Sequence, residues 1–301
     1  MMYGEIEEIE DVHQVERKFQ GFKNFDILGD SPNYHHFYYS RGKPRIESEW
    51  EFIFRQLHNP KNLAGSIFVR VYDRRIDLMS VMIVGRESTP YHQGLFFFDI
   101  FFPSNYLKQP QQDKDDVALF YRTFGFDLNP NLRKNGTVLL DKAQKYSNTL
   151  ELLSSLKDLV VNDKSYIDAQ KGLKLNNRVF IQTCEAMLKM LKCPPRPFKD
   201  FVLGYFRTRA HDILLNYKAC ADLEDKAMNS LFFKLVRAFE SNGTYCRHHY
   251  DQKQYDRALK EEEELLEQRY EHGYGYAYEY GDIWYSSPRM SMLNKLKTWI
   301  F

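Results

Sequence analysis

Cysteine is scarce in this chain, which has four cysteines among 301 residues. All of them lie in the C-terminal half, at Cys184, Cys193, Cys220 and Cys246. Their spacing shows neither the framework of a disulfide-linked secreted domain nor the paired cysteines of a zinc ribbon. We therefore expect reduced cysteines and a protein of the cytoplasm or the nucleus.

A large excess of charge is also missing. Lys and Arg number 42 and Asp and Glu number 41, so the formal net charge is +1. This balance removes the general electrostatic attraction on which nucleic-acid binding depends, and we expect no nucleic-acid partner. No apolar run approaches the roughly 18 residues of a membrane span, and the acidic N-terminus has no apolar signal segment. We expect no membrane partner either.

The chain also lacks recognisable cofactor motifs. The Gly- and Tyr-rich stretch at 273–281 has no strand-to-helix setting of the kind that a dinucleotide-binding loop needs. The set Cys246, His248, His249 and His272 matches no recognised spacing of zinc ligands. The sequence therefore predicts neither a cofactor nor a metal site.

What the chain does have is apolar and aromatic side chains, at 43% hydrophobic and 16% aromatic residues, which suffice for a sizeable core. Alternation of apolar residues predicts strands at 66–72, 78–84 and 95–101, and one more strand follows a polar stretch that ends near residue 116. Turn signals between the first three strands predict an antiparallel meander. Three consecutive phenylalanines at 96–98 favour a strand that is covered on both faces.

Helical spacing of apolar residues occurs on both sides of the predicted sheet. Residues 44–58 predict a short amphipathic helix, and further helical patterns follow from about residue 150. Helices that are segregated from an antiparallel sheet are typical of the α+β class. We divide the chain into an acidic and aromatic leader that docks by its aromatic side chains, a main domain with a C-terminal helical extension, and a charged helix with a Tyr- and Gly-rich tail. The boundaries of these three parts are 1–42, 43–240 and 241–301.

One segment is specific enough to indicate a family. Residues 89–100 read TPYHQGLFFFDI, and Phe102-Pro103 and Asn105-Tyr106 follow. This run resembles the ubiquitin-conjugating enzymes, closest to their large plant-type branch, and the resemblance covers about residues 44–240. It implies the fold of that family, which has an N-terminal helix, a four-stranded antiparallel meander, an active-site loop and C-terminal helices.

The resemblance also locates a catalytic position. In that family a cysteine thiolate accepts the C-terminal carboxyl group of ubiquitin as a thioester and passes it to a lysine or to a ligase. The family pattern Asn-Gly-x-Val-Cys-Leu stands here as NGTVLL at 135–140, so Leu139 occupies the position of the catalytic cysteine. Leucine offers no nucleophile, and Thr137 is a poor substitute because no base is recognisable beside it. The resemblance therefore implies the family fold without its transfer chemistry.

Other positions of the family pattern leave alternatives open. Asn131, in Asn129-Pro130-Asn131, matches the Asn that stabilises the oxyanion when a lysine attacks the thioester, but it could instead pin the loop backbone. Phe102 matches an aromatic residue that many members offer to ligase domains, but it could instead fill the core. The segment after Leu140 is shorter than in the family, which removes part of the wall that shields the thioester.

Three functional hypotheses follow. The first is a non-catalytic binding partner that holds ubiquitin, a ubiquitin-activating enzyme or a ubiquitin ligase beside an active conjugating enzyme, through the sheet face or the helix near Trp50. The second is an active ubiquitin transferase whose nucleophile lies elsewhere or is lost through an error in the gene model. A third is a scaffold that makes its contacts through the aromatic leader and the Tyr-rich tail.

Overall fold

A computed structural model describes most of the chain. The described residues are 14–40, 47–59, 63, 65–87, 89–103, 117–140, 148–161 and 169–271. Two compact units divide the chain, with the boundary between Tyr255 and Asp256. The division at 1–42, 43–240 and 241–301 stays a prediction.

Within the described ranges, five strands form one sheet in the order β1-β2-β3-β4-β5. Strands β2 to β5 pair antiparallel in succession, which confirms the four-stranded meander. Their bounds, with that of the additional strand β1, are β1 Phe25–Leu28, β2 Ile67–Tyr72, β3 Leu78–Val84, β4 Leu95–Phe101 and β5 Ala118–Tyr121. The fold is therefore α+β, as the sequence predicts.

Strand β1 is a feature that the sequence did not reveal. It pairs parallel to β2, with Phe25 beside Val69. The sequence predicts that the N-terminal leader docks through its aromatic side chains. The ring centroid of Phe22 lies 6.0 Å from that of Phe68 and 5.3 Å from that of Phe201. Four residues are too few to show a period, and a parallel partner distant in sequence leaves no turn signal between the two strands.

Seven helices are found in the described residues. They are α1 at 14–20, α2 Glu47–His58, α3 Thr149–Val161, α4 Ala169–Lys192, α5 Lys199–Cys220, α6 Lys226–Ser241 and α7 Gln252–Glu271. Helices α4, α5 and α6 pack on one another, and α2 contacts α3. Among the described helices there is no candidate for a membrane span.

The centre of the sheet is buried on both faces. Phe96, Phe97 and Phe98 on β4 are each at most 2% exposed, which confirms the prediction for this run. Phe96 and Phe98 lie against Tyr121, with ring centroids 6.2 and 5.4 Å away, whereas Phe97 lies 5.7 Å from Phe198. Because neighbouring side chains of a strand point to opposite faces, β4 joins the two halves of the core.

A buried carboxylate on β4 holds the N-terminal segment to the sheet. Asp99 is 2% exposed and accepts three hydrogen bonds, from Ser80 Oγ on β3 at 2.8 Å, from Arg122 Nη2 at 2.8 Å and from the backbone N–H of His36 at 2.9 Å. Arg122 also donates to the carbonyl oxygen of Tyr34 at 2.6 Å. One carboxylate thus joins two strands to the segment that precedes α2.

The charge states of this cluster follow from its contacts. Burial alone would raise the pKa of Asp99, but Arg122 and the hydrogen bonds to the carboxylate hold it below the ordinary value of 3.8. Burial lowers the pKa of His35, 3.7 Å from Asp99. His35 Nε2 lies 3.1 Å from the carbonyl of Met79, and Nδ1 accepts from the N–H of Phe37 at 3.2 Å, so both nitrogens have partners in the neutral ring.

Replacing Asp99 by Asn should lower the free energy of unfolding by about 3 kcal/mol, because the change leaves Arg122 without its counter-charge in a largely buried cluster. Denaturant titration measures the effect. The matched control is Asp200→Asn, which breaks a half-exposed pair with Lys18 and should cost less than about 1 kcal/mol.

The pH dependence provides a second readout of the same variant. A carboxyl group whose folded-state pKa is lowered contributes stability above its unfolded pKa, and this contribution is lost as the pH falls through the folded value. The stability difference between the unmodified chain and Asp99→Asn should therefore shrink below pH 3.8. An undiminished difference in acid would contradict the ionised state of Asp99.

Candidate active-site loop

The chain folds back along the sheet after β5. The backbone N–H of Tyr121 donates to the carbonyl of Gly136 at 2.7 Å, and Thr137 forms an isolated bridge with Phe120. Two further bridges fold the loop on itself, and they join Asn129 to Leu132 and Leu132 to Val138. The loop is thus tied to the edge strand just before the position of interest.

Leu139 and Asn131 are brought together by this loop. The backbone N–H of Leu139 donates to the carbonyl oxygen of Asn131 at 2.8 Å. Leu139 is 38% exposed, which is uncommon for a large apolar side chain in this structure. The position that the sequence assigned to a nucleophile is therefore open to solvent, and it carries a hydrocarbon side chain that can neither attack a carbonyl nor hold an acyl group.

Asn129 holds the loop through its side chain. Its Oδ1 accepts from the backbone N–H of Asn131 at 2.7 Å, which forms an Asx turn. Its Nδ2 donates to the carbonyl of Leu159 on α3 at 2.8 Å and to the hydroxyl of Tyr91 at 3.0 Å. Asn129 is 4% exposed, so these bonds replace water that the loop would otherwise need.

Asn131 does not have the pinning role. The side chain of Asn131 is partly exposed. Unlike the backbone of this residue, the side chain makes no hydrogen bond within the described part of the chain. The anchoring role therefore belongs to Asn129, two residues earlier. Sequence reasoning did not single out Asn129, although an Asn before a Pro is a recognised turn signal. The oxyanion role of Asn131 stays a prediction.

Gly136 permits the close approach between the loop and β5. Its φ is +88°, in the left-handed region that favours glycine. A Cβ at this position would lie 2.0 Å from Cε2 of Phe120, so a side chain would push the loop off the strand. Gly136 therefore has a structural reason that is independent of catalysis.

Phe102 lies in the core. Its side chain is 0% exposed, and its backbone N–H donates to the carbonyl of Asp77 at 2.9 Å. A fully buried ring has no surface to offer to another protein. Of the two roles that the sequence left open, the structure shows the packing role, and a ligase contact through Phe102 has no accessible side chain to rest on.

The four cysteines fall into two pairs by exposure. Cys184 and Cys246 are fully buried, whereas Cys193 and Cys220 are exposed. Burial raises the pKa of the Cys184 thiol and raises that of Cys246 to about 12. Since the thiolate is the reactive form, the buried pair is poorly suited to nucleophilic chemistry.

Comparison with known proteins gives one consistent result. The family model described as ubiquitin-conjugating enzyme matches residues 46–170. Ubiquitin-conjugating enzyme E2 39 of Arabidopsis thaliana is 32% identical over 254 residues, which is 74% of this chain and 77% of that protein. E2 38 of the same plant is 30% identical over 245 residues, or 69% and 70% of the two chains.

Longer relatives also match. E2 25 of Arabidopsis thaliana is 33% identical over 256 residues, which is 73% of this chain but 39% of that protein. The chain spans 39% of the length of E2 25, 29% of that of E2 24 and 20% of that of E2 23 from the same plant. What those longer proteins do as a whole is therefore not established for this chain.

Replacing Asn129 by Ala should lower the free energy of unfolding by about 2 kcal/mol, because it leaves the part-buried carbonyl of Leu159 and the N–H of Asn131 without these partners. Asn131→Ala is the matched control on the same loop, and we expect a change within about 0.5 kcal/mol. Thermal or denaturant unfolding measures both. Equal losses would contradict the division of roles between the two residues.

Proposed function

The chain belongs to the ubiquitin-conjugating enzyme family, and from that membership we propose that it is a non-catalytic binding partner in the ubiquitin pathway. The observation that carries the proposal is Leu139 at the family's catalytic position, held on the loop by its backbone bond to Asn131. Thioester transfer needs a thiolate as nucleophile and as leaving group, and a leucine supplies neither. The protein then contributes binding without accepting ubiquitin itself.

The geometry around residue 139 shows that the described part of the loop does not depend on the side chain of Leu139. The loop is held by Asn129 and by the close approach of Gly136 to Phe120, and neither contact involves the side chain of Leu139. Residue 139 contributes its backbone N–H, which a cysteine would supply equally well. The loop could therefore keep its shape with either residue.

An active ubiquitin transferase is the second candidate, and the exposure of two cysteines favours it. Cys193 follows α4, and Cys220 ends α5, so both thiols are accessible. Neither lies in the loop that matches the family's active site. A nucleophile missing through an error in the gene model is the other form of this candidate, and sequencing of the transcript tests it directly.

The proposed binding partners are ubiquitin, a ubiquitin-activating enzyme or a ubiquitin ligase, and an active conjugating enzyme. Strands β2, β3 and β4 are buried along almost their whole length, so they offer no open sheet face. Helix α2 is the better surface, because Glu51 and Arg55 on it are 64% and 82% exposed. We place the proposed contact on α2.

Incubation of the purified chain with ubiquitin-activating enzyme, ATP and ubiquitin should give no thiol-sensitive adduct on a non-reducing gel. Leu139→Cys should give one, because it returns a thiol to an exposed position on an intact loop. Leu140→Cys is the matched control, since it adds a thiol one residue away, and we expect at least about tenfold less adduct from misplacement of the nucleophile.

An adduct on the unmodified chain would overturn the non-catalytic proposal. Cys193→Ser and Cys220→Ser would then identify the reacting thiol. Failure of Leu139→Cys alone would mean that more than the nucleophile is lost, and that the shorter segment after Leu140 also matters.

Binding to ubiquitin, to a charged conjugating enzyme or to a ligase domain should be detectable by titration of the labelled partner with the intact chain. Charge reversal in Arg55→Glu should weaken that binding by about fivefold, or roughly 1 kcal/mol. Lys226→Glu on α6 makes the same change at another exposed position and should have little effect. No binding to any of these partners, or equal effects of the two variants, would contradict the contact through α2.

A further inference from the structure

Three histidines meet on the C-terminal helical part of the molecule. His211 lies on α5, and His248 and His249 lie on the short 3-10 turn Arg247–His249 that precedes α7. Their nearest ring nitrogens all lie within 4.8 Å of one another. Nδ1 of His211 and Nε2 of His249 are 2.9 Å apart. Such a cluster is a different site from the loop that carries Leu139.

Contacts that do not involve the imidazole rings hold the turn against α5. The hydroxyl of Thr244 donates to the carbonyl of Arg207 at 3.2 Å, and Nε of Arg207 donates to the carbonyl of Asn242 at 2.7 Å. Nζ of Lys218 donates to the carbonyl of His249. The three rings are therefore brought together by the fold, and the site is preformed on two elements.

The surroundings of the cluster act on two of its three imidazoles. Burial, then the neighbouring His248, lowers the pKa of His211, and burial together with the other histidines and Lys218 lowers that of His249 to about 4. What the cluster can bind depends on the positions of the ring nitrogens, which the fold sets.

We propose that His211, His248 and His249 bind one divalent transition-metal ion of the class that prefers imidazole ligands, with Zn²⁺ as the first candidate. Neutral imidazole is a common ligand for Zn²⁺, and a site with three protein ligands leaves a fourth position for water. Zn–N bonds of about 2.0–2.1 Å place tetrahedral ligand nitrogens roughly 3.4 Å apart. Nδ1 of His211 and Nε2 of His249, at 2.9 Å, are slightly closer together than this.

Only a small movement completes the site. His248 is exposed, so rotation of its side chain can bring its nitrogen closer to the other two. The hydrogen bond between His211 and His249 must give way, and its proton moves to the outer nitrogen of the same ring, which leaves the charge unchanged. The positive charge of Lys218 repels a bound cation. This repulsion lowers the affinity for the metal but does not change the positions of the ligands.

The sequence alone did not reveal this set. His211 and His249 are 38 positions apart, a separation outside the usual zinc-ligand patterns. The sequence placed Cys246 and His272 beside His248 and His249. Cys246 is fully buried and does not belong to the cluster of three histidines, and His272 lies outside the described residues. Helix α5 supplies the ligand that the local pattern lacks.

Calorimetric titration of the intact chain with Zn²⁺ should show one site at this cluster. Removal of one ligand in His211→Ala or in His248→Ala should weaken the affinity by more than about tenfold, since loss of an outer-shell partner alone costs that much. At a fixed concentration, Zn²⁺ should also raise the thermal midpoint of the unmodified chain by more than that of the variants. The buried His249 is left intact because its loss could disturb folding.

Matched controls separate this site from other ligands. His58→Ala on α2 and His272→Ala should bind Zn²⁺ as the unmodified chain does. Titration with Co²⁺ should give visible bands without thiolate-to-metal charge transfer, which excludes the exposed Cys193 and Cys220 as ligands. No Zn²⁺ binding, a thiolate band, or equal loss in His272→Ala would overturn the proposal.

Discussion

A single buried carboxylate, that of Asp99, is the constraint on which the arrangement of this molecule depends. A charge at the centre of the sheet is tolerated only with partners around it, and these come from β3, from Arg122 and from the backbone of His36. Arg122 directly follows β5, where the loop toward Leu139 begins. The same carboxylate therefore fixes the N-terminal segment, the sheet and the start of the loop.

The loop that carries Leu139 is held in shape by contacts at other positions. Asn129, Gly136 and the bridges to β5 define the backbone, while Leu139 contributes a hydrogen bond that is independent of its side chain. The shape of the loop thus does not depend on the side chain of Leu139. The sequence pattern around residue 139 alone could not reveal this, because it does not show which of its residues determine the backbone shape of the loop.

Local signals account for what could be predicted. Strands β2 to β5 alternate or run apolar between turn residues, and the position of Leu139 follows from a short contiguous motif. Strand β1, the anchoring role of Asn129 and the link from His211 to His249 depend on partners far along the chain. Sequence patterns carry little information on such pairings, because they record neighbours in the chain rather than neighbours in space.

The parallel pairing of β1 with β2 has a consequence for the order of folding. The meander forms from hairpins whose strands are close in sequence, whereas β1 must close a long loop before Phe25 can reach Val69. During synthesis β1 emerges before its partner and has nothing to pair with until β2 is made. We therefore expect β1 to be synthesised before β2 but to join the sheet after the meander, with the edge of β2 open to other chains in the interval.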